Sequence, residues 1–215
     1  MAGVLQRTGG RPTVVDVPPR FRVVTGPWDA EADERTIVLG PGHAFGDGRH
    51  ESTRMCLQAL ASFAPRGGFR LLDVGSGTGI LSIGAAKLGG EAIGIDIDAA
   101  AIAIAEDNAR RSAVEAHVSF ATTWPGGRFD IVVANILRDV LTALAPLIVD
   151  RLAPPGMLIL SGLVSTDVPE IVARYAPLLA GRRPEVFERD AWRALVWRAA
   201  ARPRSADPTP RNEEM

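Results

Sequence analysis

Residues 71–79 read LLDVGSGTG, and this stretch decides the fold. Its first four residues form a short apolar β-strand, its glycines form a tight turn, and an apolar helical pattern follows. Because glycine has no Cβ, such a turn lets the backbone approach a ligand closely. The helix that follows adds unpaired N–H groups and the positive end of its dipole. In a doubly wound sheet, a nucleotide-like ligand binds at the loop after the first strand.

Strands and helices alternate after this loop. We predict strands at Arg70–Val74, Glu91–Ile95, Ala116–Phe120, Phe129–Ala134, Met157–Leu160, Glu185–Arg189 and Trp192–Trp197. We predict helices at Glu51–Phe63, Gly79–Leu88, Asp98–Arg111, Arg138–Leu152 and Val168–Leu179. This alternation indicates an α/β fold with a doubly wound, mainly parallel, seven-stranded sheet. A tight turn at residues 190–191 makes the last strand antiparallel.

Two flanking segments differ in composition from the region between them. Residues 1–20 are rich in Gly, Pro and Arg, so we expect an irregular amino-terminal segment. Residues 21–200 form the predicted domain, which opens with short β-like runs at Phe21–Thr25 and Thr36–Leu39. Residues 201–215 contain prolines, many charges and no apolar period, so we expect a disordered tail.

The charge and hydropathy of the chain argue against several classes of partner. The 215 residues include 24 basic and 25 acidic side chains, and the formal net charge is -1. A protein that binds nucleic acid or an acidic membrane directly has a broad basic surface, which this balance does not indicate. No segment approaches the roughly 20 apolar residues of a membrane span. We therefore expect a soluble, cytoplasmic protein.

The cysteine and the histidines indicate neither a disulfide nor a metal site. Cys56 is the single cysteine, and its apolar neighbours Met55 and Leu57 favour a buried structural thiol over a nucleophile. The chain has no His-x-x-x-His or Cys-x-x-Cys spacing, so we predict no metal. His117 lies on a predicted strand and receives no role.

Two acids indicate what the glycine loop binds. A dinucleotide site prefers Gly-x-Gly-x-x-Gly, whereas the third glycine here comes one position early. Asp73 precedes the loop, and a carboxylate there suits a cationic ligand such as S-adenosylmethionine, which carries an amino group and a sulfonium; it could also orient the loop. Asp96 follows Gly75 by about 20 residues, at a strand end, where an acid accepts hydrogen bonds from ribose hydroxyls. Asp98 is assigned to capping of the next helix.

Asn135 ends the fourth predicted strand, beside the expected ligand crevice. Its amide oxygen could accept a hydrogen bond from an incoming amine, or its NH₂ group could bond the amino-acid part of the donor. Asn135 could instead simply cap the following helix, because Asn is a good N-cap. We place the adenine near residues 121–123.

A glycine-rich loop at residues 40–50 precedes the first predicted helix. Its hinge glycines and single aromatic residue suit a lid over the donor. The predicted lid residues are Phe45, Gly46, Asp47, Gly48 and His50. Ser52 or Thr53 could cap the helix that follows.

Several motifs together resemble the bacterial ribosomal protein L11 methyltransferase family, from about Arg20 to Arg198. The shared features are Trp28 and the segments at residues 21–24, 41–53, 72–81, 94–98, 133–137 and 160–163. The glycine loop is common to many methyltransferases, whereas the Ala-Phe-Gly-x-Gly-x-His-x-x-Thr loop combined with Ala-Asn-Ile-Leu is much more specific.

The resemblance implies a Rossmann-like class I methyltransferase that uses S-adenosyl-L-methionine. Family members trimethylate lysine side chains and a chain N-terminus of a ribosomal protein, so the expected partner is a protein substrate. The family binds the donor through positions that correspond to Thr53, Gly75, Asp96 and Asn135. The full set of predicted donor-binding residues is Thr53, Asp73, Gly75, Ser76, Gly77, Gly79, Asp96 and Asn135, of which Asn135 is also the predicted catalytic residue.

Two departures from the family leave alternatives open. The loop reads Phe-Gly-Asp-Gly where the family has Phe-Gly-Thr-Gly, so Asp47 could alter the acceptor or face solvent. The family carries an amino-terminal recognition domain, for which the residues before the match are too few. The alternatives are an N-methyltransferase of a small molecule or peptide, a non-catalytic donor-binding module, and a nicotinamide-dependent oxidoreductase.

Overall fold

A computed structural model describes residues 13–26, 32–40, 45–65 and 67–198. The motif residue Trp28, the first part of the predicted lid at residues 41–44 and the predicted tail at residues 201–215 lie outside these ranges. None of the helices in the described part of the chain is long and apolar enough to cross a membrane.

Ten strands and five helices alternate along the described residues. The strands are β1 Thr13–Val17, β2 Phe21–Thr25, β3 Thr36–Leu39, β4 Arg70–Val74, β5 Glu91–Ile95, β6 Val118–Ala121, β7 Phe129–Asn135, β8 Leu152–Val164, β9 Glu185–Arg189 and β10 Trp192–Trp197. The helices are α1 Glu51–Phe63, α2 Ile80–Lys87, α3 Ala99–Arg111, α4 Arg138–Asp150 and α5 Val168–Tyr175.

Seven of these strands form the main sheet, in the order β6-β5-β4-β7-β8-β10-β9. The pairs from β6 to β8 are parallel, and β10 is antiparallel to both of its neighbours. The predicted fold class is therefore confirmed, including the antiparallel last strand. The strand order reverses between β4 and β7, and ligands of doubly wound sheets bind outside the carboxyl ends of strands at such a point.

Each face of the main sheet is covered by helices. On β7, Ile131 and Val133 belong to a core with α1, α2 and the small sheet, while Val132 and Ala134 belong to a second core with α4 and α5. Because both faces are covered, the parallel strands are apolar on both sides. This explains the continuous apolar run that marked β7 in the sequence.

The expectation of an irregular segment over residues 1–20 is wrong for its described part. Thr13–Val17 forms β1, which pairs antiparallel with β2 and, through β2, with β3 in a separate three-stranded sheet. The alternating burial of β1 depends on this pairing, which the neighbouring prolines and arginines concealed.

Several element bounds also differ from the prediction. Strand β8 begins at Leu152 and continues through Pro154 and Pro155, where the sequence predicted a turn into a short strand. Helix α4 contains Pro146 and ends at Asp150. Asp98 caps α3, as predicted, by accepting a hydrogen bond from the Ala100 amide at 2.8 Å.

Ser112, at the end of α3, ties the small sheet to the domain. The Val38 amide donates to Ser112 Oγ at 2.9 Å, and Ser112 Oγ lies 3.2 Å from the Val38 carbonyl oxygen. Both residues are buried. A buried backbone group that loses its partner costs about 1–3 kcal/mol.

We expect Ser112→Ala to lower the free energy of unfolding by about 1–3 kcal/mol, because it leaves the buried polar groups of Val38 unpaired. Equilibrium urea unfolding measures this change. Ser119→Ala, at an exposed serine of β6, is the control and should change stability by less than about 0.5 kcal/mol. Equal effects of the two substitutions would show that Ser112 does not anchor β3.

Candidate functional site

A cavity of about 600 Å³ lies at the carboxyl ends of the parallel strands. Its size is within the range of small-molecule sites. Residues from the ends of β4, β5 and β7 line it, together with the start of β10 and the loop before α1. The lining residues are Phe45, His50, Ser52, Val74, Gly75, Gly77, Ile95, Asp96, Ile97, Asp98, Ala101, Thr122, Trp124, Asn135, Ile136, Leu137, Val140, Leu144, Gly162 and Trp192.

The glycine loop requires residues without a side chain. Gly75 and Gly77 have φ values of +75° and +52°, which other residues rarely adopt. A Cβ on Gly75 would lie 2.3 Å from Ile136 Cγ2, and one on Gly77 would lie 2.4 Å from the Phe45 carbonyl oxygen. Gly79 precedes α2 with φ +77°. The loop therefore leaves backbone exposed to the cavity at Gly75 and Gly77.

The Asp96 carboxylate lies at the cavity wall and holds two backbone segments. Its Oδ2 accepts a hydrogen bond from the Gly77 amide at 2.9 Å, and its Oδ1 accepts one from the Asp98 amide at 3.1 Å. Each carboxylate oxygen accepts about two hydrogen bonds, so Asp96 keeps capacity for a ligand. The ribose role of Asp96 stays a prediction.

Asp73 does not line the cavity; its side chain is buried between β4 and α2. Its Oδ2 accepts hydrogen bonds from the Ser82 hydroxyl at 2.9 Å and the Ser82 amide at 3.2 Å, while Oδ1 is buried with no partner. Desolvation raises the pKa of Asp73 to about 7, although the Ser82 bonds oppose the shift. Of the two roles considered for Asp73, this geometry matches orientation of the loop and α2.

The structure brings Asn135 and Thr53 together. Asn135 Nδ2 donates to Thr53 Oγ1 at 3.1 Å, which fixes the amide, and Asn135 Oδ1 is buried without a partner. Asn135 does not cap α4, because the cap position is Leu137 and no side chain bonds there. The alternative of a simple helix cap is therefore wrong. A buried amide oxygen beside a cavity is suited to an N–H donor from a ligand.

The described part of the predicted lid is bonded to the glycine loop. Thr78 donates from its amide to the Phe45 carbonyl at 3.1 Å and from its hydroxyl to the Gly46 carbonyl at 2.6 Å. Phe45 and His50 line the cavity, whereas Asp47 does not; Asp47 Oδ1 accepts from the Arg49 amide at 2.9 Å. Asp47 therefore stabilises the turn of this loop.

Helix α1 is capped by His50, not by Ser52 or Thr53. His50 Nδ1 accepts from the Ser52 amide at 3.3 Å and lies 2.6 Å from the Ser52 hydroxyl. Cys56, in the same helix, is fully buried, and desolvation raises the pKa of its thiol to about 12. A thiol with such a pKa stays protonated, as the structural interpretation predicted.

Sequence reasoning missed the apolar part of the cavity wall. Trp124, Trp192, Leu137 and Val140 line the cavity, and Ile97 beside Asp96 is 99% exposed. Such residues carry no chemical motif, and only their position directly after a strand end or helix start could have indicated them. Among the described residues, no group of three or more His, Cys, Asp or Glu side chains could hold a metal ion.

The strand order, the glycine loop after β4 and the acid after β5 define a class I methyltransferase domain. The model of the family described as Ribosomal protein L11 methyltransferase (PrmA) matches residues 15–200. The chain belongs to the ribosomal protein L11 methyltransferase family.

Individual relatives agree with this assignment. Proteins named ribosomal protein L11 methyltransferase from Bordetella parapertussis and Syntrophotalea carbinolica are 44% and 41% identical over 169 and 186 residues. These matches cover 78% and 81% of this chain but 54% and 60% of the relatives, so the chain spans little more than half of their length. A crystal structure of ribosomal protein L11 methylase from Lactobacillus delbrueckii subsp. bulgaricus aligns with a TM-score of 0.77 at 28% identity, covering 87% of this chain and 99% of that one.

The raised pKa of Asp73 predicts a pH dependence of stability. In the unfolded chain this carboxyl loses its proton near pH 4, whereas in the folded protein it keeps the proton until about pH 7. The folded state therefore binds more protons in this interval, and the contribution of Asp73 to stability falls as pH rises from about 4 through 7.

We expect Asp73→Asn to remove this fall in stability with rising pH, because the asparagine amide is neutral and still offers Ser82 an acceptor. The stability of the variant relative to wild type should rise between pH 5 and 8 by up to a few kcal/mol, since one pKa unit corresponds to about 1.4 kcal/mol. Urea unfolding of both proteins between pH 5 and 8 measures this difference in the free energy of unfolding. A difference that stays constant with pH would contradict the buried protonated carboxyl.

Proposed function

We propose that this domain is an S-adenosyl-L-methionine-dependent N-methyltransferase that methylates amino groups, foremost lysine side chains, of a protein substrate such as ribosomal protein L11. Membership of the family and the names of its relatives support this proposal. The structural observation that carries it is Asn135 Oδ1, a buried acceptor without a partner beside the cavity. We also propose that the protein acts in the cytoplasm, where ribosomal proteins are found.

The residues at the β5 end of the cavity fit the nucleoside part of the donor. The Asp96 carboxylate is placed to accept from the ribose hydroxyls, and exposed Ile97 with Trp124 offers apolar surface for the adenine. Gly75 and Gly77 line the cavity and present backbone to a ligand there. When bound, the donor supplies a methyl group activated by a positively charged sulfur.

Asn135 is placed to orient an amine by accepting one of its N–H bonds. The Thr53 hydroxyl accepts from Asn135 Nδ2 and so fixes the amide, while Oδ1 is buried and has no partner. A buried acceptor without a partner costs about 1–3 kcal/mol, so an N–H group that reaches Oδ1 is bound favourably. Positioning of this kind is the main contribution of a protein to a transfer whose reactant is already activated.

His50 is not arranged as a base toward the cavity. Since its Nδ1 accepts from the Ser52 amide, the proton of the neutral ring lies on Nε2, which has no lone pair to offer. The apolar residues of the wall lower the pKa of an amine by desolvation, which favours the neutral nucleophile. We propose that the proton of the amine leaves to water.

We expect Asp96→Ala to weaken binding of S-adenosylmethionine by about 10- to 100-fold, because the charged acceptor of the ribose hydroxyls and of the Gly77 amide is lost. Isothermal titration calorimetry measures the dissociation constant. Asp98→Asn, which keeps a capping side chain on α3, is the matched control and should change it by less than about threefold. An unaltered affinity in Asp96→Ala would exclude the ribose role.

Asn135→Ala should lower the turnover number by about 100-fold while changing the donor dissociation constant by less than about threefold, because an orienting contact to the acceptor is removed. Steady-state kinetics and calorimetry measure the two quantities. Thr53→Ser keeps the hydroxyl that holds the amide and should retain most activity. A variant that loses donor affinity but keeps turnover would instead assign Asn135 to the amino-acid part of the donor.

The substrate is tested with labelled S-adenosylmethionine and three acceptor pools: purified ribosomal protein L11, total cell protein and a small-molecule extract. Label on L11 lysines supports the proposal as stated. Label only in the small-molecule extract would assign the activity to a small amine. Donor binding without label in any pool would indicate a donor-binding module. A parallel titration with NADH separates these outcomes from an oxidoreductase.

A further inference from the structure

Three aromatic rings meet at one wall of the cavity. The rings of Phe45 and His50 lie 5.2 Å apart between centroids, those of His50 and Trp192 lie 4.4 Å apart, and both pairs are tilted by 64°. All three side chains line the cavity. We call Phe45, His50 and Trp192 the aromatic collar.

The strand order places His50 and Trp192 on the side of the cavity away from the ribose acid, whereas Phe45 is bonded to the glycine loop that also contacts Asp96. Asp96 follows β5, and Asn135 ends β7 on the other side of β4. Trp192 begins the antiparallel β10 and pairs with Val164, the last residue of β8, so it reaches the edge at which the parallel strands end. His50 caps α1, whose Thr53 bonds Asn135. His50, Trp192 and Asn135 therefore share one end of the cavity.

The carboxylates that line the cavity also lie at one of its ends. Among the described lining residues the carboxylates are Asp96 and Asp98, both at the β5 end. Glu51, next to His50, does not line the cavity and is bonded to Arg54 and Arg189 at 3.1 Å each. Among the described residues that line the cavity, those at the end of His50 and Trp192 thus include aromatic rings and no carboxylate.

An aromatic surface without a carboxylate suits a methylated ammonium group. A fully methylated ammonium has no N–H bond and cannot donate to Asn135, but its positive charge is attracted to ring faces. A carboxylate in this position would instead stabilise the protonated amine, which cannot accept a methyl group.

We propose that the aromatic collar is a subsite for the methylated alkylammonium forms of the acceptor, and that Trp192 is its principal binding residue. Indole is the strongest of the natural cation–π partners, and Trp192 is held at a strand start. The collar retains a partly methylated amine for the next transfer. In each transfer one N–C bond forms, the sulfur–carbon bond breaks, and the proton of the amine passes to water.

The proposal for the collar rests on the proposed function. Its test measures peptide binding in the absence of methyl transfer. The protein is loaded with S-adenosylhomocysteine, and its affinity is measured by NMR titration for two tripeptides. One carries trimethyllysine, and the other carries the neutral isostere in which carbon replaces the charged nitrogen. We expect the wild type to prefer the cation by about 10-fold, as a cation–π contribution near 1.4 kcal/mol gives.

Two substitutions at Trp192 test whether this residue causes the preference for the cationic peptide, and a third serves as the control. Trp192→Ala should reduce the ratio of the two affinities to about one, whereas Trp192→Phe should retain a preference of several-fold, because phenylalanine keeps an aromatic face. Phe187→Leu removes a ring outside the cavity, one that contacts Phe63, and should leave the ratio unchanged. Unaltered binding of S-adenosylhomocysteine in each variant shows that the domain remains folded.

The outcomes separate the two proposals. If the wild type fails to bind S-adenosylhomocysteine, the proposed function fails and the collar with it. If the loaded wild type binds both peptides equally, or if Trp192→Ala keeps the preference, the collar alone is overturned.

Discussion

The backbone amide of Gly77 joins the segments that build the cavity. It donates to Asp96 Oδ2 at 2.9 Å, and the adjacent Thr78 donates to the carbonyl groups of Phe45 and Gly46. A Cβ on Gly77 would lie 2.4 Å from the Phe45 carbonyl oxygen, so a larger residue would separate the glycine loop from the segment before α1. The positions of the acid, the loop and this segment thus depend on one residue without a side chain.

The antiparallel strand β10 of the main sheet gives the cavity two different ends. Parallel strands bring the residues that follow β4, β5 and β7 to one edge, which collects backbone amides, an acid and an amide side chain. The antiparallel β10 brings its first residue, Trp192, to that same edge beside the end of β8. One end is therefore acidic and suited to hydroxyl groups, and the other is aromatic and suited to an alkyl cation.

Features that depend on short-range pattern were predictable from the sequence. The apolar run of β7, the helix cap at Asp98 and the glycine loop each lie within a few consecutive residues, and local periodicity or residue type suffices to indicate them. Features that depend on pairing with residues distant in the sequence could not be predicted from it. Strand β1 depends on its pairing with β2, and β8 pairs with β7 on both sides of its two prolines, at Leu152 and again from Met157, with a shift in register between.

The sequence by itself determined the fold class and the positions of Gly75, Gly77, Asp96 and Asn135, because the chemistry of each is visible in its residue type and its place after a strand. The tertiary structure alone decided where the side chains in and around the site lie. It turned Asp73 away from the cavity toward Ser82, bonded Asn135 to Thr53, and assembled the collar from a loop and the last strand. Contacts between residues distant in sequence exist only once the sheet has formed, and no local pattern encodes them.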